Sequence, residues 1–283
     1  MIDQTTCYAD RLHSTPQRKS GSSRGNNMPQ GSAANAADFN NPVNAAEKLI
    51  VALDVDSVAE ARKIVDHLDG TVSFFKIGIA LQWEKDLRNF IDELLSERDC
   101  QVFLDYKYGD IGSTLRRGVA GAAKLGVDFL TIQGAGDVGE KDLRLAVSAR
   151  AEGKQLKIFL VSVLTSLDQR DLNEIGVQET LLDRVVRRAK IAHRTGLDGV
   201  IASGQEATAI RAATASDFLI ITPGIRPSGA PADDHKRVST PFQAVANGAD
   251  YLVVGRPIIE STSPQEAAKT IISEMQEAFD SLH

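Results

Sequence analysis

Cysteine is nearly absent from this 283-residue chain, which contains only Cys7 and Cys100. Two cysteines so far apart exclude a disulfide-rich secreted domain, and no group of cysteines and histidines has the spacing of a zinc site. The chain also lacks an apolar run approaching the roughly 20 residues that span a bilayer, and its N-terminus lacks the apolar core of a signal peptide. We therefore expect a soluble protein of the reducing cytoplasm, without metal ligands and without a membrane partner.

An excess of basic charge is lacking as well. The 32 Lys and Arg residues against 38 Asp and Glu give a net charge of -6, and the sequence pI is about 5.5. Sequence-independent nucleic-acid binders normally display a broad basic face, so the composition argues against a nucleic-acid partner. An acidic ligand would have to be bound by local basic groups.

The N-terminal part lacks both helical and strand periodicity. Residues 1–45 are rich in Ser, Asn, Gln, Gly and Ala and carry scattered charge of both signs. Ordering them would bury little apolar surface. We predict a flexible low-complexity tail over residues 1–45 and one folded domain over residues 46–283.

From Lys48 onward, short apolar runs alternate with longer segments of helical pattern, such as Ser57 to Leu68 and Gln178 to Arg194. The eight strand candidates are Leu49 to Val55, Val72 to Gly78, Val102 to Lys107, Phe129 to Gln133, Lys157 to Leu164, Gly199 to Ser203, Phe218 to Thr222 and Tyr251 to Gly255. Strands that are apolar nearly throughout are typical of a parallel sheet buried on both faces. The pattern therefore predicts an α/β fold, a closed (β/α)8 or TIM barrel with its helices outside. An open doubly wound sheet is the alternative, but no G-x-G-x-x-G fingerprint follows the first strand.

Opposed charges are concentrated in the six residues from Asp105 to Asp110, directly after the apolar run Val102 to Leu104. Alternate side chains of a strand share a face, so Phe103, Asp105 and Lys107 point the same way. One face of the strand therefore changes from apolar to ionic near its end. Because desolvating a charge is costly, such groups are kept where they pair or do chemistry.

Further polar residues lie at or near the ends of other predicted strands. They are Asp54 after the first strand, Lys76 in the second and Thr165 after the fifth. Asp54 alone could cap the next helix, and Lys76 alone could extend to water beside an apolar face. Capping does not account for two lysines flanked by apolar residues. Since barrels build their sites at the carboxyl ends of the strands, the set predicts a charged site there.

The segments after the last two strands resemble a phosphate site. Residues 222–227 read Thr-Pro-Gly-Ile-Arg-Pro, and residues 254–257 read Val-Gly-Arg-Pro. Glycine lets backbone N–H groups approach an anion, arginine supplies a charge-assisted fork, and these loops often hold phosphate in such barrels. A simple turn with a solvated arginine is the alternative for residues 255–257. The long connection over residues 224–237 is a candidate lid.

Together these motifs resemble the orotidine 5'-phosphate decarboxylase family over about residues 48–262. The shared elements, in order, are Asp54, Lys76, Asp-x-Lys-x-x-Asp-Ile at 105–111, Thr114, Thr-Pro-Gly-Ile-Arg-Pro at 222–227 and Asp-Tyr-Leu-Val-Val-Gly-Arg-Pro at 250–257. The Asp-x-Lys-x-x-Asp motif alone is common to a wider suprafamily of sugar-phosphate enzymes. Its combination with the later elements, in this order, is far more specific.

The resemblance implies decarboxylation of orotidine 5'-monophosphate to UMP without a cofactor, the last step of de novo pyrimidine nucleotide synthesis. By position, it implies that Lys107 protonates C6 of the ring and that Asp105 lies against the scissile carboxylate. Lys76 and Asp110 would complete an alternating array of charges. Family members are dimers in which Asp110 and Thr114 enter the partner's site, so a homodimer with shared sites is implied.

The same resemblance assigns the binding residues. Asp54 and Lys76 would contact the ribose hydroxyls, and Thr165 would contact the pyrimidine edge. The phosphate would be held by the residues after strands seven and eight, namely Arg226, His235, Gly255 and Arg256.

The chain departs from the family pattern at several positions. Gln133 stands where a histidine is common, and His235 stands where a glutamine generally contacts the phosphate. Residues 108–114 read Tyr-Gly-Asp-Ile-Gly-Ser-Thr, where bacterial members usually have His-Asp-Ile-Pro-Asn-Thr. A phosphate contact from His235 would make substrate affinity depend on pH, because imidazole titrates near neutrality.

Two other functions are compatible with parts of the pattern. A sugar-phosphate decarboxylase or hexulose-phosphate synthase of the same suprafamily would share the barrel and the Asp-x-Lys-x-x-Asp motif but would use magnesium. A non-catalytic barrel that binds a phosphorylated ligand would be expected to have a broken acid–base set. Here Lys76, Asp105, Lys107 and Asp110 are all present.

Overall fold

The computed structural model describes residues 43–133, 138–150, 156–228 and 236–282. The predicted tail lies almost entirely outside the described residues. Its last residues belong to the described part, where Asn44 caps a short 3-10 turn, Ala45–Lys48, and its side chain accepts a hydrogen bond from the N–H of Ala46.

Eight parallel strands form a closed barrel in which each strand pairs with its neighbours in chain order and the last pairs with the first. The strands are β1 (Leu49–Ala52), β2 (Phe74–Gly78), β3 (Gln101–Tyr108), β4 (Phe129–Gln133), β5 (Lys157–Val161), β6 (Gly199–Ile201), β7 (Leu219–Thr222) and β8 (Tyr251–Val254). The predicted (β/α)8 architecture is confirmed. Strands β1, β5 and β6 end two or three residues earlier than predicted, because the chain leaves the sheet there to form the loops at the carboxyl end.

Helices follow the strands and surround the barrel. They are α1 (Val58–His67), α2 (Leu87–Ser96), α3 (Gly112–Leu125), α4 (Glu140–Ala149), α5 (Gln169–Glu174), α6 (Leu181–Thr195), α7 (Ala207–Ala213), α8 (Pro241–Ala246), α9 (Arg256–Ile259) and α10 (Pro264–Ser281). Helix α1 begins where predicted, since the Ser57 side chain accepts a hydrogen bond from the N–H of Glu60. No described helix combines the length and apolar character needed to cross a membrane.

The inward-facing and outward-facing residues of the strands form two separate cores. The outward residues pack with the helices into one large apolar layer. The inward residues form a smaller cluster, which consists of Ile50, Ala52, Phe74, Phe103, Phe129, Phe159, Ile221, Tyr251 and Val253. Phe129 is central, with its ring centroid 4.8 Å from that of Phe74, 4.7 Å from that of Phe159 and 5.2 Å from that of Tyr251. These rings pack against one another inside the barrel.

A three-residue motif recurs at the amino-terminal end of the barrel. The sequence analysis did not predict it. Three times a glycine with positive φ follows a helix and is followed by an apolar residue and an aspartate, at Gly126, Gly196 and Gly248. Each aspartate accepts a hydrogen bond from a backbone N–H of the preceding strand. The pairs are Asp128 with Val102 at 2.9 Å, Asp198 with Ile158 at 2.8 Å and Asp250 with Ile220 at 2.7 Å. The motif therefore joins neighbouring strands at the end of the barrel opposite the predicted site.

Candidate active site

A cavity of about 610 Å³ opens at the carboxyl end of the barrel, and we call it the mouth cavity. Its wall includes eight of the residues predicted from the sequence, namely Asp54, Lys76, Asp105, Lys107, Thr165, Arg226, Gly255 and Arg256. These residues come from strands or loops spread over two hundred positions of the chain. The closed sheet brings them to one surface, as the barrel prediction required.

Two lysines and two aspartates form a continuous chain of ion pairs on one side of the cavity. The Lys76 Nζ lies 2.8 Å from Asp54 Oδ1 and 3.5 Å from Asp105 Oδ2. The Lys107 Nζ lies 2.9 Å from the same Asp105 oxygen. Asp105 is therefore held between two ammonium groups, and we call these four residues the charge array.

The strand register explains why the charge array forms. In the pairing of β2 with β3, Lys76 is opposite Phe103, and Gly78 is opposite Asp105. Residues Lys76, Phe103 and Asp105 all face the barrel interior, as the alternation in β3 predicted. Gly78 is required by the close approach, because a Cβ there would lie 2.8 Å from Asp54 Oδ1.

Lys107 is positioned by an irregularity at the end of β3. The register with β4 shifts between Leu104 and Tyr108, and Lys107 has a φ of 48°. A non-glycine residue in this left-handed region costs about 1–3 kcal/mol and persists only where surrounding contacts hold it. Thr131 provides those contacts, since its hydroxyl accepts the Lys107 N–H and donates to Asp105 Oδ1, both at 2.9 Å.

Burial and charge act in opposite directions on the ionisation of the array. For Asp105, burial alone would raise the pKa, but Lys76 and Lys107 outweigh it and hold the pKa below its ordinary 3.8. For Lys76, burial alone would lower the pKa, but Asp105 and Asp54 outweigh it and hold the pKa above 10.5. Both groups are therefore charged at neutral pH, although Lys76 is buried and Asp105 is partly buried. Electrostatic effects on a ligand are larger at such a site than in water.

The other side of the cavity combines arginines with apolar residues. Arg226 is buried, and its Nη1 donates to the carbonyl of Ile225 at 2.9 Å. Gly255 and Arg256 lie at the start of the short helix α9 after β8. The wall also contains the apolar residues Val161, Val163, Leu164, Ile201 and Val253. A ligand in the cavity would meet arginines, apolar side chains and the charge array.

Two of the predicted site residues that the structure describes are not part of this cavity wall. Asp110 and Thr114 are exposed, beside the N-terminus of α3, and the Asp110 side chain accepts a hydrogen bond from the N–H of Ile111 at 2.7 Å. His235 lies outside the described residues, as do positions 229–235 of the candidate lid.

Three polar residues of the site were not predicted from the sequence, namely Thr131, Ser166 and Glu260, of which Glu260 is exposed and lines the cavity after α9. Thr131 supports both Lys107 and Asp105, and its inward position in β4 was the available signal. Ser166, which follows Thr165, is exposed and also lines the cavity. Among the described residues, no three His, Cys, Asp or Glu side chains are grouped as metal ligands would be.

A lysine–aspartate array and an arginine-lined end, both at the mouth of one (β/α)8 barrel, place the chain in the class of barrel enzymes for phosphorylated ligands. Residues 47–271 match the model of the orotidine 5'-phosphate decarboxylase / HUMPS family, and the chain belongs to this family.

Relatives and solved structures agree with this membership. The chain is 47% identical to the orotidine 5'-phosphate decarboxylase of Nitrobacter winogradskyi over 235 residues, which are 83% of this chain and 95% of that relative. It is 45% identical to the enzyme of the same name from Afipia carboxidovorans, over 83% of this chain and 97% of that relative. The crystal structure of orotidine 5'-phosphate decarboxylase from Lactobacillus acidophilus matches with a TM-score of 0.71 and 32% identity, covering 81% of this chain and 99% of that one.

Proposed function

We propose that this protein decarboxylates orotidine 5'-monophosphate to UMP without a cofactor, as a carboxy-lyase of pyrimidine nucleotide synthesis. The observation that carries the proposal is the array in which Asp105 lies between Lys76 and Lys107 on the wall of a cavity whose other end is lined by arginines. The names of the relatives support the same substrate.

The chemistry explains the need for fixed charges. Loss of carbon dioxide from C6 leaves an electron pair in the plane of the ring, where the π system cannot delocalise it. A preorganised ammonium at Lys107 stabilises this pair and then protonates C6 without solvent reorganisation. Asp105 repels the substrate carboxylate, and the repulsion falls as neutral carbon dioxide leaves.

The remaining wall residues suit the other parts of the nucleotide. Arg226, Gly255 and Arg256 would bind the phosphate, while Asp54 and Lys76 would bind the ribose hydroxyls. Thr165 would contact the pyrimidine edge. Binding of the phosphate, remote from C6, would contribute to the acceleration by aligning the ring with the charge array.

The active form is proposed to be a cytoplasmic homodimer with shared sites. Asp110 and Thr114 lie on the exposed surface at the same end of the barrel as the cavity. Exposed apolar side chains occur in the neighbouring segments, with Ile111 71% exposed and Trp83 85% exposed. Large exposed apolar side chains beside a site are typical of an interface, and a two-fold dimer would bring Asp110 of one chain towards the array of the other.

The magnesium-dependent reaction of the suprafamily remains the alternative function. A divalent cation prefers a set of oxygen ligands, whereas a cation beside Asp105 would face two ammonium groups within 3.5 Å of that carboxylate. The third possibility, a non-catalytic barrel, would turn over neither substrate.

One assay separates the three functions. The ultraviolet absorbance of orotidine 5'-monophosphate is followed with purified protein in excess EDTA, and a hexulose 6-phosphate with magnesium is tested in parallel. We expect undiminished loss of orotidine 5'-monophosphate in EDTA and no turnover of the sugar phosphate. Loss of activity in EDTA, restored by magnesium, would contradict the proposal, and so would inactivity on the nucleotide.

A further inference from the structure

A buried arginine outside the cavity wall connects three loops at the mouth of the barrel. The connection after β7 returns to the barrel at residues 236–239, where Arg226 N–H donates to the Ser239 carbonyl at 3.0 Å and Ser239 N–H donates to the Gly224 carbonyl at 3.3 Å. Arg237 lies just before this closure and is 6% exposed. Arg237 therefore belongs to the same loop as Arg226.

The Arg237 guanidinium is bound mainly by backbone carbonyls of the loop after β5. Its Nε donates to the carbonyl of Leu167 at 3.0 Å, and its Nη2 donates to those of Val163 at 3.1 Å and Leu164 at 2.9 Å. Next to it, the backbone N–H of Lys236 donates to the carbonyl of Thr165 at 3.2 Å. These bonds surround the segment that holds Thr165.

The remaining nitrogen of Arg237 binds a buried carboxylate after β6. Its Nη1 lies 2.6 Å from Glu206 Oε2, and Glu206 is 4% exposed. Ser203 fixes both partners, because its N–H donates to the Glu206 carboxylate and its hydroxyl donates to the Arg237 carbonyl, both at 3.1 Å. Burying such a pair costs desolvation free energy, so the pair adds little to stability by itself. Its main effect is to hold the Arg237 and Glu206 side chains in one arrangement.

We propose that Arg237 is a positioning residue that makes the loop of the phosphate ligand Arg226 and the loop of the pyrimidine contact Thr165 move as one unit. This inference rests on the proposed function of those two loops. Only a planar cation with several fixed donors can bind three carbonyls and a carboxylate together, so lysine cannot replace it. When the phosphate binds at Arg226, the Thr165 loop is thereby also brought into position to align the pyrimidine ring.

The test compares orotidine 5'-monophosphate with orotidine, which lacks the phosphate and whose product uridine is measured by chromatography after long incubation. The ratio of the two kcat/KM values reports how much the phosphate assists the chemical step. We expect Arg237→Gln and Arg237→Lys to lower this ratio by about tenfold or more, mainly through kcat for the nucleotide. The rate with orotidine should change little.

Arg211 provides a matched control, because its guanidinium also binds three carbonyls and one carboxylate but at the opposite end of the barrel. The partners are the carbonyls of Ser216, Phe218 and Gly248 and the carboxylate of Asp250. We expect Arg211→Gln to lower the thermal midpoint without changing the ratio.

A ratio that is unchanged in a folded Arg237 variant, or that falls equally in Arg211→Gln, would overturn the inference. Should Arg237→Gln not yield folded protein, Arg237→Lys decides by the same ratio, since it keeps a cation beside Glu206. A wild-type protein that does not turn over the nucleotide would instead overturn the proposed function.

Discussion

At the scale of single residues, the site depends on charged side chains whose ionised forms are stabilised by neighbouring groups of opposite charge. Asp105 keeps its charge because Lys76 and Lys107 lie within 3.5 Å, and Lys76 keeps its charge because it contacts both Asp54 and Asp105. For Asp105 and Lys76, burial alone would shift the pKa towards the neutral form, and the oppositely charged neighbours reverse that direction. The array therefore has to be treated as one unit, in which removing one charge changes the others.

The pKa directions predict how this unit responds to pH. The pKa of Asp105 is lowered, so its stabilising contribution is fully present above its ordinary pKa of 3.8 and is lost as the pH falls through the folded-state value. The pKa of Lys76 is raised, so its contribution is fully present below 10.5 and is lost as the pH rises through the folded-state value. Chemical denaturation at a series of pH values gives the free energies of unfolding of the wild type and of Asp105→Asn. The difference between these two free energies should be constant near neutrality and should change only at acid or strongly alkaline pH. A change centred near pH 7 would contradict these directions.

The phosphate end offers a second prediction for a single side chain. Arg256→Ala should lower kcat/KM for orotidine 5'-monophosphate by on the order of 10- to 100-fold, the size of one lost charge-assisted hydrogen bond. Steady-state kinetics and thermal unfolding of the same preparation test it. Arg170→Ala is the control, because the Arg170 side chain is 87% exposed. A normal kcat/KM in folded Arg256→Ala would remove this residue from the phosphate site.

At the scale of elements, the two ends of the barrel have different roles. The amino-terminal end carries the aromatic interior and the aspartates that bind neighbouring strands, whereas the carboxyl end carries the charge array and the loops of the cavity. Asp128, which is 9% exposed, accepts the Val102 N–H and so joins β4 to β3. This separation predicts that stability and activity can be changed independently.

Asp128→Ala tests the separation. Leaving the Val102 N–H without its acceptor should lower the free energy of unfolding by about 1–3 kcal/mol, with kcat/KM unchanged. Denaturant unfolding and steady-state kinetics measure the two quantities. Asp69→Ala, at an exposed position after α1, should change neither. Equal losses of stability and kcat/KM in Asp128→Ala would show that the two ends are coupled.

The sequence was sufficient for the architecture and for the charge array, and insufficient for the contacts that hold the array in place. Lys76, Asp105 and Lys107 were found because alternation along a strand and position at its end are local signals. Thr131 and Glu206 were missed because their roles depend on side-chain to backbone contacts, such as Thr131 with Lys107, that local residue patterns do not reveal. The left-handed backbone at Lys107 was also missed, since nothing in the local residue types requires it.

At the scale of the whole molecule, the proposed dimer predicts that two inactive variants restore each other. In a mixed dimer of Lys107→Ala and Asp110→Ala, one site has both substitutions and the other has neither. After subunit exchange of an equal mixture, activity should return to about a quarter of the wild-type value, since half of the dimers are mixed and each has one intact site. Each variant alone should be nearly inactive. No recovery in a mixture shown to contain mixed dimers would contradict the sharing of Asp110.

The most direct measurement is kcat of Lys107→Ala at saturating orotidine 5'-monophosphate in EDTA, with Lys63→Ala, an exposed lysine on α1, as control. If Lys107 stabilises the electron pair at C6 and protonates it, kcat should fall by at least roughly 10²- to 10⁴-fold while thermal unfolding shows a folded protein. Lys63→Ala should match the wild type. A folded Lys107→Ala protein with kcat within about tenfold of wild type, well short of that loss, would contradict the central role of the charge array.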